Sequence, residues 1–176
     1  LWTDALARFH AHTGRLDLLV NNAGIMLSGP FEQTSVAQHL RQIGVNVHGV
    51  LLGCHAAHPY LRTTPSARVI NLASSAAFYG QAALASYSAS KFFVRGLTEA
   101  LNIEWQHQDI RVMDLMPLFV QTGLLDGNRP PSLRRLGVHL QAEDVARVLW
   151  QAAQCPRSSR VHWPVGLHAR MLYKVM

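Results

Sequence analysis

The run Tyr87-Ser-Ala-Ser-Lys91 holds a phenol and an ammonium four residues apart. On a helix that spacing puts both groups on one face, close enough to interact. A free tyrosine has a pKa near ~10, too high for a general base at neutral pH. A neighbouring cation favours the phenolate and lowers that value. The pair could then give or take a proton at a carbonyl oxygen. The plain alternative is a surface tyrosine packed along a lysine stem. Usage of basic residues bears on the choice, because Lys91 and Lys174 are the only lysines among 16 Lys+Arg. A compact ammonium on a flexible stem can sit beneath a tyrosine and reach hydroxyls of a ligand, which a planar guanidinium does poorly.

The elements that must position this pair follow from hydrophobic pattern and breakers. Residues Leu1–Thr13 read as an amphipathic helix closed by Gly14. Leu16–Val20 is a short apolar run ending in Asn-Asn-Ala-Gly, which suits a buried parallel strand and a tight turn. A helix is expected from about Thr34 to His58, with Thr34 or Ser35 as cap and Pro59 limiting its extension. Arg68–Ala73 is the next strand, Leu84–His107 the next helix, and Ile110–Met116 a strand stopped by Pro117. Residues 118–140 read as a long loop with one short helix. Ala142–Ala153 is a helix and Arg160–Trp163 a last strand. This alternation predicts a Rossmann-like doubly wound parallel sheet in three α/β/α layers, with residues 1–176 as a single domain. Ligands in such sheets bind beyond the carboxyl ends of the strands. Here those ends are Asn21–Gly24, Ala73–Ala77 and Pro117–Thr122.

Composition removes several classes of function. No apolar run approaches the ~18 uncharged residues of a membrane span. Leu1–Thr13 mixes Asp4, Arg8, His10 and His12 into its apolar residues, unlike a secretory signal, and the chain opens without Met, so residues upstream are expected. The two cysteines, Cys54 and Cys155, are too few and too distant for a disulfide framework or a Cys-rich zinc site, which implies a reduced, cytoplasmic setting. Ten histidines include no His-Glu-x-x-His spacing, and His55 and His58 read as surface or interface residues, so no metal is expected. The net charge of +6 is spread singly apart from Arg134–Arg135, which argues against a nucleic-acid partner.

Several further runs accompany Tyr87 and Lys91. They are Asn21-Asn-Ala-Gly24, Val45-Asn-Val-His-Gly49, the pair Ser74-Ser75, and the Pro-x-x-Val-x-Thr run from Pro117 to Thr122. In this order and spacing the chain resembles the classical short-chain dehydrogenase/reductase family over essentially all 176 residues. The resemblance implies an NAD(P)-dependent oxidoreductase that moves a hydride between a nicotinamide cofactor, NAD or NADP, and a small-molecule carbonyl or alcohol. It implies that Tyr87 is the proton donor or acceptor and that Lys91 lowers its pKa and holds the nicotinamide ribose. Ser74 would bond the substrate oxygen, with Ser75 as second choice. Asn46 would hold a water for proton relay; the plain reading is a polar residue bonding its own helix. Asn22, Ala23, Gly24, Pro117, Val120 and Thr122 would line the cofactor.

The departures carry expectations too. The family has Pro-Gly where this chain has Pro117-Leu118, so Leu118 either alters the pocket floor or is a structural loop variant. The family's opening glycine-rich strand–turn–helix has no counterpart here. The N-terminal strands are therefore missing, and the expectation is a piece that by itself binds cofactor poorly and aggregates through an unpaired edge. Met26, Ala76, Phe78, Leu84, Leu118, Phe119, Leu124 and Leu125 are candidate pocket residues and suggest an apolar substrate, with residues 123–138 as a lid. Apolar residues on more than one side of the 84–107 helix imply a homodimer or homotetramer. The alternative function is a catalytically inactive relative that binds or assembles; intact Asn46, Ser74, Tyr87 and Lys91 speak against it.

Overall fold

The computed structural model describes residues 1–128, 130–156 and 160–175. Its elements are α1 (Trp2–Thr13), β1 (Leu18–Asn21), α2 (Val36–Ile43), α3 (Gly49–Leu61), β2 (Arg68–Leu72), α4 (Ala85–Glu104), β3 (Arg111–Pro117), α5 (Pro131–Leu136), α6 (Ala142–Gln154), β4 (His162–Val165) and α7 (Leu167–Lys174). The four strands pair in parallel in the order β1-β2-β3-β4. Strands buried on both faces need apolar side chains on both. Leu19, Val69, Val112 and Met116 pack with Val50, Cys54, Ala57 and Leu61 of α3 and Val94 of α4. Ile70, Met113, Leu115, Trp163 and Val165 pack on the opposite face with Val148, Ala152 and Ala153 of α6. The three-layer α/β/α arrangement expected from the sequence is the one observed.

Several boundaries differ for physical reasons. The single helix expected over 34–58 is α2 and α3 joined through a π-helical turn, Gly44–His48. Ser35 caps it by accepting from Gln38 N. Pro59 lies inside the last turn of α3 rather than ending it. Ala57 and Leu61 are fully buried around it, so packing outweighs the one lost donor. Beyond β4, which contains Pro164 on a sheet edge, Gly166 (φ 85) turns the chain into α7. No helix was expected there. Leu172 and Tyr173 of α7 pack against the α3/α4 core.

One residue row crosses the whole sheet. Asn21 lies opposite Asn71, Asn71 opposite Asp114, and Asp114 opposite His162. Asn21 Nδ2 donates to Asn71 Oδ1 at 2.8 Å, and Asn71 Nδ2 to Thr98 Oγ1 of α4 at 2.9 Å. His162 Nδ1 lies 3.0 Å from both carboxylate oxygens of the fully buried Asp114. Its Nε2 lies 3.0 Å from Glu99, which also binds Arg95 at 2.9 Å. Gly53 of α3 sits against this row; a Cβ there would collide with Asn21 Oδ1 and meet the Trp2 ring at 3.0 Å.

Burial alone would depress the His162 pKa, but its hydrogen bond to Asp114 and the charges of Asp114 and Glu99 outweigh it, and the net shift is upward from 6.5. Burial raises Asp114 as well. A raised folded-state pKa stabilises below the unfolded value and loses that contribution as pH climbs through the folded value. The difference in Tm between the native chain and His162→Gln should therefore be largest at and below pH 6.5 and shrink above it. Thermal unfolding of both across pH tests this; a difference that grows with pH would contradict the pairing.

Candidate active site

The three irregular segments at the carboxyl ends of β1, β2 and β3 surround one cavity of about 520 Å³. Asn22, Ala23 and Gly24 line it after β1, Ser74 and Ser75 after β2, and Pro117, Leu118, Phe119, Val120 and Thr122 at and after the end of β3. Tyr87 and Lys91 enter from the first turns of α4. Crevices of this kind arise where parallel strands end and chains leave in different directions. Every sequence-predicted cofactor-lining residue borders this cavity.

Ser74 is the N-cap of a 3₁₀ turn, Ser75–Ala77, accepting from Ala76 N at 3.1 Å. Its hydroxyl also donates to the Pro117 carbonyl at 3.4 Å, so the serine bridges the ends of β2 and β3. Of the two serines, it is the Ser74 side chain that acts on the Tyr87 phenol, favouring its ionised form. Arg95 Nη1 donates to Ala77 O at 3.3 Å and ties this turn to α4.

Lys91 is 6% exposed and donates from Nζ to Leu72 O at 2.7 Å. Its ammonium lies 5.7 Å from the Tyr87 ring centroid. An ammonium has three donors, and one is used in this bond. Gly24 flanks it: a Cβ there would lie 3.6 Å from Lys91 Nζ and 3.5 Å from Asn46 Oδ1. The residues thus leave a cradle beside the ammonium, open to a ligand with hydroxyl acceptors.

Asn46 stands one layer behind the cavity wall. It lies in the π-helical turn and is buried. Its Oδ1 accepts from Ile25 N at 2.9 Å, and its Nδ2 donates to Ile25 O at 2.9 Å and Ser90 Oγ at 3.0 Å. The side chain holds the loop after Gly24 onto α4. A π turn shifts the helical phase by one residue, and such turns recur at functional sites.

Burial dominates the electrostatics of both Tyr87 and Lys91. It pushes the Tyr87 phenol up to about 12, against the opposing hydrogen bond of Ser74. It brings the Lys91 ammonium down to about 8. At neutral pH the tyrosine therefore carries its proton, the state needed to protonate a substrate oxygen.

Of the expected apolar pocket residues, Met26, Ala76, Leu84, Leu118, Phe119, Leu124 and Leu125 line the cavity. Phe78 does not; it packs in the α3/α4 core. Leu118 and Phe119 also wall a second cavity of about 250 Å³ that reaches His139 and His168. From the 123–138 segment, in which Arg129 lies outside the described residues, Leu124, Leu125, Leu133 and Val138 pack with Met26, Leu84 and Tyr87. Gln81, Val145, Ala146 and Leu149 line the cavity without having been singled out in the sequence. No motif marks them.

Residues 2–132 match the short chain dehydrogenase family model, and the chain belongs to that family. It is 35% identical over 125 residues to a 3-alpha-(or 20-beta)-hydroxysteroid dehydrogenase of Mycobacterium tuberculosis, covering 71% of this chain and 48% of that protein. It is 35% identical over 126 residues to a trans-4-hydroxycyclohexanecarboxylate dehydrogenase of Sinomonas cyclohexanicum, covering 72% and 48%. The chain spans about half the length of these curated relatives. Among solved structures, the 3-ketoacyl-(acyl-carrier-protein) reductase of Brucella melitensis complexed with NADH superposes with a TM-score of 0.80 at 30% identity, over 93% of this chain and 71% of that one.

With only two lysines in the chain, selective isotope labelling resolves Lys91 in NMR. Its side-chain resonance should titrate with a midpoint near 8, the charged form lying below. A midpoint at or above 10.5, the ordinary lysine value, would show that the ammonium is not buried as described.

Proposed function

We propose that this chain is the catalytic portion of an NAD(P)-dependent oxidoreductase that interconverts a carbonyl and an alcohol, with Tyr87 as general acid/base. The observation that carries this reading is the convergence of Ser74, Tyr87 and Lys91 on one cavity at the strand ends. The nicotinamide, NAD or NADP, supplies or accepts the hydride when bound. In the reducing direction the Tyr87 hydroxyl gives its proton to the substrate oxygen; in oxidation the phenolate takes it back. Ser74 Oγ donates to the same oxygen and stabilises charge as it develops. The remaining donors of Lys91 would hold ribose hydroxyls, and its charge favours the phenolate left after proton transfer. Asn22, Ala23, Gly24, Pro117, Val120 and Thr122 would hold the cofactor against this group. Asn46 acts one layer back, by fixing the loop that carries Ile25. The names of the relatives, dehydrogenases and reductases, support the reading.

The lining by Met26, Leu84, Phe119, Leu124 and Leu125 supports a largely apolar substrate. Cys54 is a free, buried thiol, which fits a reducing, cytoplasmic setting. Among the described residues no helix is long and apolar enough to cross a membrane.

In the enzyme with its cofactor-binding segment, Tyr87→Phe should lower kcat by at least about a hundredfold, the scale of general acid catalysis. Cofactor affinity, followed by fluorescence titration, should change little. Retention of most activity would sink the assignment.

Association with further copies is the second part of this reading. Val94 and Trp105 of the α4 region are buried and Phe93, Leu97 and Leu101 pack on the core, but Phe92 and Ile103 remain exposed, as do Leu51 and Leu52 of α3. Large apolar residues left exposed on both helices favour an interface. Sedimentation of the enzyme should give a dimer or tetramer, and Phe92→Glu should weaken it; a single monomeric species at micromolar concentration would refute the assembly.

A further inference from the structure

Gln81 lies between the Ser74 turn and α4, and its backbone is fixed at both ends. Its N–H donates to Ser88 Oγ at 3.2 Å, and its carbonyl accepts from Leu84 N at 3.1 Å. The residue is 8% exposed and lines the catalytic cavity. Its Oε1 is buried without a hydrogen-bond partner. Among the described residues, no other residue lining this cavity has a buried side-chain oxygen or nitrogen left in that state. Met26, Ala76 and Leu84 line the same cavity.

An unmet acceptor in an apolar wall destabilises the protein unless a ligand completes it. A leucine would fill the same volume without that penalty. A fixed backbone carrying an unpaired carboxamide oxygen is the arrangement expected of a group kept for recognition rather than for folding.

We propose that Gln81 is a specificity-determining residue whose Oε1 accepts a hydrogen bond from a hydroxyl of the substrate other than the reacting one. The preferred substrate is then an apolar carbonyl compound that bears a hydroxyl, or the corresponding diol. This rests on the oxidoreductase reading above and refines it. A site built to bond a hydroxyl discriminates strongly against the analogue that lacks it, because the buried acceptor stays unpaired.

The test compares cyclohexanone with its analogues carrying one hydroxyl at each ring position, in the enzyme with its cofactor and in Gln81→Leu and Gln81→Met. The native enzyme should favour at least one hydroxyketone by about tenfold or more in kcat/KM. Both variants should lose that preference, their kcat/KM for the hydroxyketone falling to that for cyclohexanone. Tm should be unchanged or higher in Gln81→Leu, since the unpaired amide is gone. Equal preference in native and variant enzymes, or a lowered Tm with the preference intact, would make Gln81 a structural or water-bonded residue and overturn the proposal. Calorimetric binding of cyclohexanediol against cyclohexanol reads the same contact without turnover. Should no ketone be reduced while the diol preference depends on Gln81, the oxidoreductase reading fails and the recognition role stands. If the diol preference is absent or survives Gln81→Leu, the recognition role fails.

Discussion

The alignment of Asn21, Asn71, Asp114 and His162 in one row fixes how the four strands lie against each other. Apolar strands buried on both faces carry little register information, because a slip by two residues exchanges one valine or leucine for another. A buried carboxylate cannot slip without leaving its imidazole. The row also reaches outward: Asn71 binds Thr98 of α4, and His162 binds Glu99 of the same helix. One layer of polar contacts therefore fixes both the strand ends and the helix that carries Tyr87 and Lys91.

From that frame the site follows with few additional contacts. Lys91 is drawn to the end of β2 by the Leu72 carbonyl, and Ser74 is held between β2 and β3 by Pro117. Asn46 clamps the loop after β1 by accepting from the Ile25 N–H and donating to the Ile25 carbonyl. Each of the three strand ends around the crevice is thus pinned by one polar side chain. Burial then sets the protonation states, with Tyr87 neutral and Lys91 brought down to about 8.

The sequence discloses what depends on local spacing. Tyr87 and Lys91 share a helix face by their separation, and the strand–turn boundaries at Asn21, Ala73 and Pro117 place the crevice. Features decided by long-range packing stay hidden. Asn46 lies in a π turn and its side chain bonds Ile25, and helical periodicity does not announce that insertion. Pro59 signals a stop that buried Ala57 and Leu61 override. α7 is too short to show an amphipathic repeat, and its place is set by the core it covers. Gln81 bears no local mark at all. Only the cavity around it gives the residue meaning.

The scarcity of lysine has a practical side. Of the two side-chain amines, Lys91 is enclosed beneath Tyr87, whereas Lys174 stands exposed at the end of α7. A bulky activated ester meets Lys174 and is shut out from Lys91. Within residues 1–176, attachment of a dye through lysine side chains would therefore fall on Lys174 and spare the ammonium beside Tyr87.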